Sequence, residues 1–181
     1  MKKILSILAL LIISLDLYAA MAIAVPERDN ERFALIDGRD MLILDDYVWY
    51  KRWHGLLAEQ LDDGIYMISD GNHAVIAAER SVSTWELEDT ISLYDADSLI
   101  LLGSGIPDVE VLKDSGITTL LLLNRPTELE KRMLKEEGIS AITVKPGDVL
   151  DFENGQPVDD NKGTPVSVIC PMCGTRFAIY I

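Results

Sequence analysis

The stretch that decides the fold runs from residue 98 to residue 144 and reads SLILLGSGIPDVEVLKDSGITTLLLLNRPTELEKRMLKEEGISAITV. It contains three short apolar runs, at residues 98–102, 117–123 and 139–144. Two amphipathic segments separate these runs, and each segment ends in a glycine. Apolar runs of this length are typical of strands covered on both faces, and the segments between them carry helix signals. The order strand, helix, strand, helix, strand predicts a parallel α/β unit with right-handed crossovers.

Helix-start signals precede the amphipathic segments. Thr127 with Glu130 forms a capping box, and Pro107 fits the first residue of the preceding helix. A second capping box, Ser83 with Glu86, predicts a short helix that ends near Leu93. The second half of the chain is therefore expected to alternate strands and helices.

Upstream of this unit, the sequence predicts two β-hairpins. In the first, residues 33–36 and 41–44 flank an Asp-Gly turn at residues 37–40. In the second, residues 65–68 and 74–77 flank a similar turn at residues 70–72.

Between the hairpins, the spacing predicts a helix from Asp45 or Asp46 to about Leu61. Large side chains recur there at intervals of three and four residues, and Gly64 follows. These side chains are Trp49, Trp53, Leu56, Leu57 and Gln60.

The end of the chain predicts a third hairpin. Residues 151–163 are polar and turn-rich, and residues 165–181 read as strand, cysteine turn, strand. The predicted fold class is therefore α/β: β-hairpins plus a strand-helix-strand-helix-strand unit in one compact domain, residues 33–181, with a C-terminal β-hairpin.

The first 24 residues have the pattern of an export signal. Lys2 and Lys3 precede an apolar run at residues 4–15, and small residues end the segment at Ala24. We expect cleavage after Ala24, with residues 25–32 as a spacer. The alternative is an uncleaved anchor that associates with the membrane through residues 4–24. Either outcome places the domain in the periplasm, outside the cell, or on the outer side of the cytoplasmic membrane.

The acidic composition restricts the partners. The net charge is −14 at pH 7, with 30 acidic and 16 basic residues. Nucleic-acid binding depends on Lys and Arg neutralising phosphates, so we expect no nucleic-acid partner.

Cys170-Pro171-Met172-Cys173-Gly174 contains both cysteines of the chain. The turn resembles a zinc-ribbon knuckle, so Cys170 and Cys173 are candidate zinc ligands. A structural zinc needs four ligands, which a homo-oligomer could supply from two such turns. The alternatives are a disulfide or a reduced pair that closes the last hairpin, and a thiol-disulfide redox pair. The sequence leaves these interpretations open.

Aromatic and basic residues concentrate at residues 47–54, which read YVWYKRWH. Tyr47 and Tyr50 are the candidate partner-binding residues, because not all of these rings can be buried. Gly103-Ser104-Gly105 is typical of either a tight turn or a phosphate-binding loop, although it lacks the remaining residues of a nucleotide-binding fingerprint.

A longer segment resembles a known family. Residues 65–155 follow the order of strands and helices in the C-terminal half of a metallo-β-lactamase-like domain, as in DNA-uptake channel proteins. The chain lacks the family's His-x-His-x-Asp-His run. It has Ala77-Ala78-Glu79-Arg80 where a ligand Asp is expected and Gly103-Ser104-Gly105 where the family has a His pair. The resemblance implies a retained scaffold without the hydrolase site.

No catalytic constellation is recognisable in the sequence. It has neither a Ser-His-Asp order nor a Gly-x-Ser-x-Gly elbow, and it contains two histidines. We therefore expect a non-catalytic exported protein that binds a protein partner or serves an envelope or extracellular assembly. The alternative is a zinc-binding or thiol-disulfide protein that uses Cys170 and Cys173.

Overall fold

A computed structural model describes most of the chain. The described residues are 21–28, 32–37, 40–45, 48–103 and 105–158, together with the backbone of residues 165–169 and 176–180.

The larger of two packed sheets has seven strands. They are β4 (Tyr50–Trp53), β5 (Leu56–Asp62), β6 (Ile65–Ser69), β7 (Ala74–Ala78), β8 (Ser98–Leu101), β9 (Thr119–Leu122) and β10 (Ser140–Thr143). Their order across the sheet is β10-β9-β8-β7-β6-β5-β4. The four strands from β7 to β10 are parallel, whereas β4 to β7 are antiparallel neighbours. The predicted parallel unit is confirmed.

Three described helices connect the parallel strands: α1 (Thr84–Ile91), α2 (Val109–Asp114) and α3 (Glu128–Glu136). Both predicted capping boxes are present, with Ser83 capping α1 and Thr127 capping α3. The expected start of α2 at Pro107 is wrong, because the Asp108 side chain accepts a hydrogen bond from the Glu110 amide and makes Asp108 the N-cap.

The smaller sheet has four strands, in the order β11-β1-β2-β3. They are β1 (Ala22–Ala24), β2 (Ala34–Asp37), β3 (Asp40–Ile43) and β11 (Val149–Asp151). β1 lies in the middle and pairs with β2 on one side and β11 on the other. These three residues belong to the segment in which the sequence predicts an export signal, so cleavage after Ala24 would remove a central strand.

The larger sheet is covered on both faces. Alternate residues of β7 show this: Val75 and Ala77 face the smaller sheet, whereas Ile76 and Ala78 face the helices.

Each face of the larger sheet therefore has its own layer of buried side chains. The layer between the two sheets includes Ile23, Leu35, Leu42, Ile100 and Leu121. The layer under the helices includes Leu87, Ile91, Leu112 and Leu134. These two layers hold the strand ends and loops described below in fixed positions.

The helix predicted between residues 45 and 61 is wrong. That segment forms the hairpin of β4 and β5, and Trp53 is paired with Leu56 at its closed end. The two residues between them, His54 and Gly55, have φ values of 47° and 90°. A two-residue hairpin turn of type I′ requires positive φ at both positions, and glycine adopts it readily. The turn therefore overrides a side-chain spacing that is compatible with a helix.

The other predicted hairpins agree with the structure. β2 pairs with β3, and β6 pairs with β7, each antiparallel. Near the C terminus, β12 (Pro165–Ile169) pairs antiparallel with β13 (Arg176–Tyr180). The predicted α/β fold class with a C-terminal strand pair is confirmed.

Candidate functional site

The edge strand β4 carries exposed aromatic and basic side chains. Trp49, just before the strand, is 75% exposed, and Tyr50 is 63% exposed. Lys51 and Arg52 are exposed as well, whereas Trp53 is half-buried against the core. The predicted partner residue Tyr50 thus lies on the surface. The other predicted partner residue, Tyr47, lies outside the described residues.

The register places the two cations of β4 on opposite faces of the sheet. Lys51 lies opposite Ala58, a residue of the core between the two sheets. Arg52 lies opposite Leu57 and shares the other face with Tyr50. No ion pair among the described residues involves either cation. β4 therefore carries one positive charge on each face of the larger sheet, although the protein as a whole is acidic.

The turn of the β4–β5 hairpin contacts the hairpin of the smaller sheet. His54 Nδ1 lies 3.1 Å from an Asp37 oxygen, and His54 Nε2 lies 3.1 Å from an Asp40 oxygen. Because a neutral imidazole carries one N–H, both contacts are hydrogen bonds only when the ring is protonated. His54 thus connects the two sheets at one end of β4. Sequence reasoning missed this contact, since only the pairing of strands brings these residues together.

The carboxyl end of β7 holds a buried ion pair. Glu79 is 7% exposed, and its carboxylate accepts a hydrogen bond from the Arg32 guanidinium across 47 positions of the chain. A buried carboxylate needs such a partner to remain charged. The carboxylate thus contacts a cation of the protein itself.

The glycine loop after β8 has a packing role. A Cβ built on Gly105 would overlap Thr84 Oγ1, so glycine permits this close approach of the loop to α1. The next helix, α2, begins beside two carboxylates. Asp108 caps it, and Glu88 accepts a hydrogen bond from the Asp108 amide at 2.7 Å. This arrangement disfavours a bound phosphate, because the acidic groups repel it and already use the amides.

A shallow depression lies between α2 and α3. It is lined by Ile106, Pro107, Met133 and Leu134 among others and has a volume of about 160 Å³. Small-molecule sites usually enclose roughly 300 to 1,000 Å³, so this depression is too small for a typical organic ligand.

The candidate cysteines cannot be assigned a geometry. Cys170 and Cys173 lie outside the described residues, in the connection between β12 and β13. Within the described part of the chain, no group of three or more His, Cys, Asp or Glu side chains is arranged to hold a metal ion. In the same residues, no helix is long and apolar enough to span a bilayer.

Comparisons with known proteins give a structural likeness. No protein-family model matches the chain, and no curated protein sequence matches it significantly. The chain is similar in structure to the metallo-beta-lactamase fold protein YhfI from Bacillus subtilis, with 16% sequence identity and a TM-score of 0.39. The match covers 55% of this chain and 50% of that protein, so the chain spans about half its length.

Proposed function

We propose that this chain is an exported, non-catalytic binding or accessory protein of an envelope or extracellular assembly, and that β4 is its binding surface. The observation that carries the proposal is the exposure of two consecutive aromatic residues, Trp49 and Tyr50, at the edge of a sheet.

Exposed aromatic rings next to a cation are typical of binding surfaces. Trp, Tyr and Arg dominate the residues whose removal costs the most affinity in protein complexes. Trp49, Tyr50 and Arg52 combine these three residue types within four positions. Trp and Tyr also supply a large contact area for a small loss of side-chain entropy.

The buried groups support binding over catalysis. Glu79 is paired with Arg32, and the Gly105 loop is packed against Thr84. A general acid or base needs access to a substrate proton, and the Glu79 carboxylate has little access because its side chain is 10% exposed and is paired with Arg32.

The proposed location depends on the N-terminal segment. Residues 1–20 lie outside the described residues, so the export signal remains an inference from the charged and apolar residues at 2–15. Because β1 is a central strand, an exported chain keeps the smaller sheet whole only if residues 22–24 are retained, and an anchor compatible with this sheet would lie within residues 4–21.

Fractionation of cells that express the full chain tests the location. Recovery in the envelope or outside the cell is expected. Recovery of the full-length chain in the cytosol would contradict the proposed location.

Site-specific photo-crosslinking in growing cells tests the binding surface. A crosslinking residue at position 49 is expected to yield one defined adduct with a protein partner. Trp85 provides the matched control, because it is 68% exposed but lies on α1, away from β4. Equal adducts at both positions, or none at position 49, would contradict the role of β4.

The second candidate function uses the cysteine pair. Ile169 is paired with Arg176, so the antiparallel strands β12 and β13 bring the two ends of the Cys170 and Cys173 connection together. Such a hairpin suits either a zinc knuckle or a short disulfide loop. Native mass and metal content distinguish them. Stoichiometric zinc supports a metal site. A mass lower than that of the reduced chain by two hydrogen atoms, without metal, supports a disulfide. Free thiols without metal contradict both interpretations.

A further inference from the structure

We propose that β4 binds an extended, acidic segment of a protein partner as an eighth strand of the larger sheet. This inference rests on the proposed function and specifies the partner's chemistry.

The backbone of β4 has an open edge. Among the described strands, β4 is the last in the sheet order and pairs with β5 alone. In an edge strand, alternate residues direct their N–H and C=O groups away from the sheet, where an added strand can pair with them. Tyr50, Lys51 and Arg52 are all exposed, so this edge is open to solvent along three consecutive residues.

The charge of β4 selects an acidic partner. Edges of natural sheets commonly carry lysine, which deters pairing with other chains, so cations alone do not mark a docking strand. On β4 they are accompanied by Trp49 and Tyr50, which give a partner apolar area to cover. β10, at the opposite edge, has the sequence SAIT and lacks both features. An added strand with adjacent acidic residues would place one carboxylate on each face, near Lys51 and Arg52.

The same charges argue against pairing with a second copy. A symmetric antiparallel β4 pair centred on Lys51 would place that residue opposite Lys51 of the other copy, and a pair centred on Arg52 would place the two Arg52 residues opposite each other. Like charges directly opposite each other destabilise a sheet. The open edge argues against a membrane as well, since a lipid surface has no strand that can pair with it.

A peptide titration of the full chain tests the proposal. The probe is a blocked eight-residue peptide of Val and Thr with two adjacent glutamates at its centre. A second peptide has two lysines there, and a third is the acidic peptide N-methylated at alternate residues, so that it keeps its charge but loses its donors on one edge. Binding is followed through the amide NMR signals of β4 and β5.

The expected result is binding of the acidic peptide that is at least about tenfold tighter than that of the other two, with shifts confined to β4, β5 and their neighbours. The double variant Lys51→Glu with Arg52→Glu should weaken binding of the acidic peptide at least about tenfold. The matched variant Arg132→Glu with Lys135→Glu makes the same charge change on α3 and should leave it within about twofold.

Several outcomes would overturn the proposal. Equal binding of the N-methylated peptide would mean attraction by charge alone, and absence of acidic-peptide binding would exclude strand addition. Concentration-dependent dimerisation through β4, or binding to phosphatidylglycerol vesicles instead of the peptide, would assign the edge to another occupant. If any of these occurs while the crosslink at position 49 persists, this inference fails and the proposed function stands. If the crosslink is lost as well, both fail.

Discussion

Residues 74–144 and residues 22–62 build the same core by different routes. In the first region, β7, β8 and β9 are each followed by a helix that packs back onto the sheet, so successive elements are neighbours in space. In the second region, β1 pairs with β11, more than one hundred residues away, and β4 depends on a two-residue turn. The comparison shows that the first region is built from regular local units, whereas the second region also depends on the long-range pairing of β1 with β11.

Both regions nevertheless contribute to one layer of side chains. Leu35 of β2 and Leu121 of β9 are fully buried in the same cluster between the sheets. A shared core implies that the regions unfold together, although only one of them has regular local signals.

Among the changes that test this comparison, removal of β1 is expected to have the largest effect on stability. A chain that begins at Val25 lacks a strand that is almost fully buried and leaves β2 and β11 without their common partner. We expect a loss of at least about 5 kcal/mol, enough to abolish cooperative folding of an ordinary domain. Thermal unfolding of this chain and of a chain that begins at Met21, both followed by circular dichroism, measures the loss of stability. Equal midpoints would show that β1 is dispensable.

Core truncation tests whether the two regions unfold as one. Leu35→Ala and Leu121→Ala should each cost about 2 to 5 kcal/mol, because each leaves a cavity in the same layer. Urea unfolding should show a single transition for both variants. Leu129→Ala on the exposed side of α3 is the control and should change stability by less than about 0.5 kcal/mol. Separate transitions for the two regions would refute the shared core.

One substitution should change the stability in opposite directions in the β4–β5 hairpin and in the helix that the spacing predicts. Gly55 has a φ of 90°, which alanine adopts at a cost of roughly 1 to 2 kcal/mol, so Gly55→Ala should destabilise the chain. In a helix the same change would stabilise by roughly 1 kcal/mol. Chemical denaturation gives the sign. Gly103→Ala, whose added Cβ would meet no atom closer than 3.6 Å, is the control.

The capping box of α1 tests the local signals of the parallel region. Ser83→Ala removes the side chain that accepts a hydrogen bond from the Glu86 amide, which should cost about 1 kcal/mol. Thr127→Ala removes the equivalent cap of α3 and should cost a similar amount. Denaturant midpoints of the two variants measure these costs. Unchanged stability would mean that packing alone fixes these helices.

The smallest expected effect is a pH dependence of the stabilisation that the Ser83 cap gives to α1. Hydrogen bonds from the Ser83 hydroxyl and then the Ser83 amide hold the pKa of Glu86 below its ordinary value. Because the folded pKa is the lower one, this stabilisation is complete above the unfolded pKa and is lost as the pH falls through the folded pKa. The stability difference between the native chain and Ser83→Ala should therefore narrow on acidification. Urea unfolding over a pH series measures it, and a constant difference would contradict the assignment.

Predictions from the sequence are correct for most elements of residues 74–144 and less accurate for residues 22–62. The capping boxes and the buried strand β8 are visible because each signal lies within a few residues of the element it specifies. The β4–β5 hairpin is mistaken for a helix because Trp49, Trp53 and Leu56 have helical spacing. The His54 turn, in contrast, depends on backbone angles that the side-chain pattern does not reveal.

The contacts of the candidate site were beyond sequence reasoning for a related reason. The sequence identified Tyr50 as a candidate binding residue at the surface, but placed it on a helix. Neither the contacts of His54 with Asp37 and Asp40 nor the contact of Glu79 with Arg32 has a local signal, because each pair is joined only by packing of separate strands.

The central position of β1 also orders events during synthesis. β1 is made before every other described strand, whereas its partner β11 is among the last to leave the ribosome. The smaller sheet therefore stays incomplete until nearly the entire chain has emerged, and pairing over such a separation slows folding. The nascent protein therefore carries a half-paired apolar strand for most of its translation.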